Sequence, residues 1–146
     1  MSCAIARPLS GPGFNSTLNK INGDPERTVV VAITNAYLDR SKRKSFDSKT
    51  QSIYKNLDTY SGYIAGSMRL KLLGKEVWTY TVWENEAALK NFVNAREHVD
   101  AMYTTDEAIK SMRSLHMNIA AKDVPTTWKQ IEKIIETKEM KPYKPL

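Results

Sequence analysis

His98 and His116 are the only histidines in the chain. They are also its only side chains whose ordinary pKa lies near neutrality, so either suits general acid or base work beside a substrate. Each has a plainer alternative. His98 stands at a helix start, where capping or surface placement is common, and His116 stands on the polar side of a strand, where it can face solvent. Asn35 interrupts an apolar strand face. A buried amide without partners costs about 1–3 kcal/mol, so Asn35 is either a satisfied structural amide or a donor to a ligand oxygen. Arg69 is a cation on a strand and is suited to pairing with an oxyanion. Trp83 and Phe92 have the bulk to wall an apolar pocket, or simply to fill a core.

Other chemistries lack their signatures. There is no HExxH and no cluster of histidine or carboxylate ligands, so no metal site is expected. Neither GxGxxG nor a P-loop is present to cradle a nucleotide phosphate. Cys3 is the single cysteine, which rules out an intrachain disulfide and makes a reducing, cytoplasmic setting the simplest reading. No apolar run approaches the roughly 20 residues of a membrane span, and MSCAIARPLSGPG lacks the apolar core of a secretory signal. The net charge is +6, spread along the chain, with one dense run at Arg40, Lys42, Arg43 and Lys44. That run is a solvated helix start or, against the helix dipole, a contact for an anion.

The elements that would position these residues follow from periodicity. Residues 72–102 organise the chain: a hairpin turn at Gly74, a strand over 76–84, and a helix opening at Asn85. The strand alternates Val77, Thr79, Thr81 and Trp83 against Trp78, Tyr80 and Val82. Asn85 is an N-cap, and Leu89, Phe92 and Val93 form an apolar stripe. Before this unit, residues 28–38 read as a strand apolar on both faces and hence central in a sheet. A helix over 42–57 follows, with Phe46, Thr50, Ile53, Tyr54 and Leu57 on one side. A strand over 63–73 sets Ile64, Met68, Leu70 and Leu72 against Ala65, Ser67, Arg69 and Lys71, with Gly66 marking a bulge or a close backbone approach. Downstream come a helical piece over 98–111, a strand over 113–122, and a last helix capped by Thr126 or Thr127 that buries Trp128, Ile131, Ile134 and Ile135.

Residues 1–27 carry repeated glycine and proline without periodicity and read as an extended or disordered arm. Residues 28–138 form one domain, and residues 139–146 form a tail. The order strand, helix, strand, strand, helix, strand, helix predicts an α+β, ferredoxin-like split βαβ domain: a four-stranded antiparallel sheet with helices on one face. The other sheet face would then be bare and apolar, so a homodimer closing into a shared barrel is expected.

With these elements placed, the passages VWTYTVWENEAALKNFV and REHVDAM, supported by LLGKEVWT and VPTTWKQI, resemble the dimeric α/β-barrel superfamily in its antibiotic biosynthesis monooxygenase-like group. The resemblance spans about residues 28–137. It implies one of two chemistries. The first is haem breakdown, which in that family uses an asparagine on the first strand, a tryptophan in the helix after the third strand and a histidine ten residues further on. Asn35 fits the first position, but Phe92 and Met102 stand at the other two, so that chemistry is disfavoured. The second is cofactor-independent oxygenation of a small aromatic or phenolic substrate, which needs a dry pocket, a donor to a substrate oxygen and a base that makes a phenolate. On this reading Asn35, His98 and His116 are the catalytic candidates, and Arg69, Trp83, Phe92 and Met102 contact substrate, with no cofactor or metal.

Two readings from other classes stand beside it. One is a non-catalytic small-molecule-binding dimer. The other is an RNA-recognition domain, which shares the strand order. Its RNP1 pattern would fall on the third strand, but KEVWTYTVWE lacks the glycine and the aromatic spacing. Trp78 and Tyr80 fit a core or a dimer contact better than base stacking, so nucleic acid is not an expected partner.

Overall fold

The strand Thr28–Leu38 is central, as its two apolar faces predict: Val29, Val31, Ile33 and Leu38 are wholly inaccessible to solvent. The computed structural model describes residues 4–71 and 75–142, with backbone alone at residues 103–106. In chain order the strands are β1 (Ala4–Ala6), β2 (Phe14–Asn15), β3 (Lys20–Ile21), β4 (Thr28–Leu38), β5 (Tyr63–Lys71), β6 (Glu76–Trp83), β7 (Ile109–Ala120) and β8 (Lys141–Pro142). The helices are α1 (Arg43–Asn56), α2 (Glu86–Val93), α3 (Arg96–Thr105) and α4 (Trp128–Thr137). The turn expected at Gly74, and Leu72 on its strand, lie outside the described residues.

The main sheet runs β1-β5-β6-β4-β7-β8, and its pairings are antiparallel. Its inner four strands, with helices between β4 and β5 and between β6 and β7, make the expected ferredoxin-like split βαβ. The outer two are additions. From β1 onward the leader follows the outer edge of β5: Arg7 N–H donates to Met68 O (2.9 Å), Ser10 exchanges two bonds with Gly66, and Gly13 N–H donates to Ile64 O (2.9 Å). Such pairing covers backbone groups that an edge strand would otherwise leave open. A Cβ on Gly11 would lie 2.3 Å from Ile64 O, so the glycines that suggest disorder are what let the arm lie this close.

Local chemistry sets the helix ends. Asn85 caps α2 by accepting from Ala88 N–H (2.9 Å), and Thr127 with Gln130 forms a capping box at α4. The basic run enters α1 through surface ion pairs, Lys42 to Glu107 (3.0 Å) and Arg43 to Asp47 (3.3 Å). Two boundaries move. β7 begins at Ile109, so the preceding helix is shorter than its apolar spacing predicts. A bulge between Tyr63 and Ala65 shifts the register of β5 on β6. Ile64 therefore packs with Val29, Tyr80 and Ile131, while Met68 faces the other way, which separates two residues the alternation had put together. Gly66, beside the bulge, has the Tyr63 hydroxyl 2.6 Å from where its Cβ would be.

The largest correction concerns the second sheet face. Helices α1, α2 and α3 cover one face, but the other is not bare: α4 and the arm cover it. Leu9, Ile21 and Ile131 pack there against Val29, Val31, Ile33, Tyr80 and Val82. Polar bonds hold the cover down. Trp128 Nε1 donates to Ser67 Oγ (2.8 Å), which donates to Arg7 O (2.6 Å), and the Tyr80 hydroxyl donates to Pro125 O (2.9 Å). The apolar side chains that predict a partner sheet are satisfied within the chain, and residues of the arm belong to the core.

Candidate functional site

Between the sheet and helices α1 to α3 lies an apolar chamber of about 150 Å³. Its floor exists because consecutive same-face positions carry small side chains. On β4 these are Ala32, Thr34 and Ala36; on β6 they are Thr79 and Thr81, and the register sets Thr34 beside Thr79 and Ala32 beside Thr81. Larger residues frame the row, with Val30 and Leu38 on β4 and Val77 and Trp83 on β6. The roof is the inward stripe of α1, including Phe46, Lys49, Ile53 and Tyr54, together with Leu89 and Phe92 of α2 and His98 and Met102 of α3. Close packing normally leaves few voids larger than a water molecule, so an apolar space of this size is the candidate site of the fold. The Tyr54 hydroxyl is occupied, donating to Gly66 O (2.9 Å). The hydroxyls of Thr34, Thr79 and Thr81 take no side-chain partner among the described residues.

His98 is half-buried in the wall, its ring 4.8 Å from that of Phe92. Burial pushes its pKa below the ordinary value, against the opposing effect of a hydrogen bond with Val93 O. Its Nδ1 lies 3.0 Å from that carbonyl. A carbonyl only accepts, so Nδ1 carries the proton of the neutral ring and Nε2 keeps a free lone pair. His116 sits at the exposed rim, beside Ala32 in the register. Its pKa is also lowered by burial, with Glu86 of α2 acting the other way. Both shifts favour the neutral imidazole.

Phe92, Met102, His98 and His116 thus share one chamber. Trp83 stands behind it, fully buried and stacked on Phe92 at 5.1 Å, as a core residue. Asn35 and Arg69 do not join them. Asn35 is 1% exposed on the face covered by α4 and the arm, where its amide donates to Glu76 Oε1 (3.0 Å) and accepts from Arg113 Nε (3.0 Å). It is the satisfied structural amide of the two alternatives, since strand alternation turns it away from the chamber that Thr34 and Ala36 face. Burial pushes the Glu76 carboxyl up, but hydrogen bonds from Lys71 and Asn35 outweigh that and hold it below its ordinary range. Arg69 is on that same face, paired with Glu132, with its guanidinium 4.8 Å from the Trp128 ring centre. The threonine floor and Lys49 were missed by the sequence reading; the signal for the floor is the run Ala-x-Thr-x-Ala on a central strand. No group of three or more potential metal ligands occurs among the described residues.

The sequence matches no known protein family and no curated protein. Solved structures do match in shape. A candidate antibiotic biosynthesis monooxygenase from Nitrosomonas europaea aligns with 68% of this chain and 94% of its own, at TM-score 0.55 and 10% identity. A dimeric protein of unknown function and ferredoxin-like fold from Bacteroides fragilis aligns over 62% and 96%, at TM-score 0.54 and 17% identity. The fold is shared. A candidate monooxygenase from Lactobacillus acidophilus aligns over 69% of this chain at TM-score 0.57 and 12% identity, and this chain spans only 50% of that one. At such identities the likeness establishes architecture, and the chemistry has to be argued from the chamber.

Proposed function

We propose that the chain binds a small phenolic ring in the chamber and oxidises it with dioxygen, without an organic cofactor or metal, as a monooxygenase. One observation carries this reading: an apolar chamber with a neutral imidazole in its wall, held with its free lone pair on Nε2. An apolar cavity of about 150 Å³ is the size that admits one benzene ring. Phe92 and Met102 stand where the haem-degrading branch has its tryptophan and histidine, so that chemistry stays disfavoured.

In the proposed reaction His98 takes the phenolic proton in a site from which water is largely excluded. The phenolate gives an electron to dioxygen, and a ring carbon and oxygen then join as a peroxide. Loss of water leaves a quinone: one oxygen atom enters the ring, the other leaves as water, and the ring loses the four electrons dioxygen gains. The threonine hydroxyls of the floor take the role of donor to the substrate oxygen that Asn35 cannot fill.

The test is oxygen consumption by chelator-treated protein given simple phenols and hydroquinones. Uptake with quinone formation that is lost in His98→Gln supports the enzyme. Saturable binding without uptake assigns the chain to the non-catalytic binders. The second copy proposed from sequence keeps the B. fragilis protein as its analogy and loses the bare sheet face as its reason. Sedimentation decides between one copy and two.

A further inference from the structure

Among the described residues that line the chamber, Lys49 carries the only formal charge. Its position is unusual for a lysine. It falls on the inward stripe of α1, three residues after Phe46 and four before Ile53, both of which face the chamber. Helices usually keep lysine on the opposite side, or let its stem lie on apolar surface while the ammonium reaches out. Here the residue is exposed while still lining the chamber, so it stands where the chamber meets solvent. No ion pair to Lys49 occurs among the described residues.

We propose that the preferred ligand is a single-ring phenol bearing a carboxylate, with its ring on the threonine floor and its carboxylate at Lys49. This rests on the chamber being a phenol site and adds the substituent that is selected. A volume of about 150 Å³ holds one ring and leaves a polar substituent at the opening. Among the described residues of the lining the only formal charge is positive, with Glu86 set further off beside His116. A neutral ring fits the floor equally well, so the cation is what separates an aromatic acid from its amide. The protein's net charge of +6 favours approach of an anion as well.

The probes are 4-hydroxybenzoate and its neutral isostere 4-hydroxybenzamide, titrated calorimetrically into the whole chain at low ionic strength. The expected result is a preference of about tenfold for the acid, equivalent to about 1.4 kcal/mol. The preference should shrink in high salt, disappear in Lys49→Met and return in Lys49→Arg, with affinity for the amide unchanged throughout. Lys44→Met, on the solvent side of the same helix, should alter nothing. Equal binding of acid and amide by the unmodified chain overturns the proposal and leaves the phenol site standing, as does a preference that survives Lys49→Met. Failure of both probes to bind removes the phenol site itself, and the proposal with it.

Discussion

Replacing Thr34 by leucine should stabilise the protein while closing the site. Thr34 stands mid-floor, between Ala32 and Ala36 on its own strand and beside Thr79 on the next. Leucine exchanges a hydroxyl that has no side-chain partner among the described residues for carbon, and adds one carbon more. Burying an extra methylene contributes about 0.8 kcal/mol, and removing a half-buried, unpartnered hydroxyl contributes about 1 kcal/mol. The expected gain is therefore about 1–2 kcal/mol. For a chain of 146 residues this raises Tm by about 3–8 °C. Scanning calorimetry reads the stability, and equilibrium dialysis with a simple phenol reads the site, where affinity should fall at least tenfold because the new side chain occupies the ring's place. Gain of stability with loss of binding is the signature of a filled functional void. A Tm that falls would refute the reasoning, because overpacking a floor that is already full costs about 1–3 kcal/mol.

His98→Gln should lower oxygen consumption by about a hundredfold or more while leaving phenol binding within a few-fold, because it removes a base and not a wall. Both histidines are held below their ordinary pKa of 6.5 in the fold. The unfolded chain therefore binds more protons just below pH 6.5, and stability should drop as pH falls through that range and level off once the folded residues protonate too. The double variant His98→Gln, His116→Gln should flatten that slope in urea titrations. Asn35→Ala should destabilise by about 1–3 kcal/mol, since Glu76 and Arg113 lose a partner; weakened phenol binding at unchanged stability would place Asn35 back in the site. Ile131→Ala should cost about 2–5 kcal/mol, because this side chain of α4 is 1% exposed against the sheet; a near-neutral effect in denaturant titration would mean that α4 does not cover that face. Val31→Asp, at a fully buried position of β4, should abolish folding, and soluble protein of native size would contradict the central-strand assignment.

Much of the fold was legible in the sequence because each element carries its own local signal. Alternation over residues 28–38 and 76–84, the Asn85 and Thr127 caps, and the order of strands and helices together specify a ferredoxin-like sheet with β4 at its centre. Those signals act within a few residues. What lay beyond them was decided by contacts distant in sequence. Glycine in the arm reads as disorder until Ile64 lies against Gly11, and an apolar sheet face reads as a dimer interface until Leu9, Ile21 and Ile131 settle on it. The site divides in the same way. Sequence picked out His98, His116 and Phe92 by residue type and Met102 through the family resemblance, and all four line the chamber. Asn35 and Arg69 were as plausible by type, but strand alternation, and for β5 a bulge as well, turn them to the opposite face, where Glu76 and Glu132 engage them. Residue chemistry is written one position at a time, whereas a cavity is a property of facing surfaces. Whether small side chains on two strands align beneath a helix, and leave space there, is settled only when register and packing are complete.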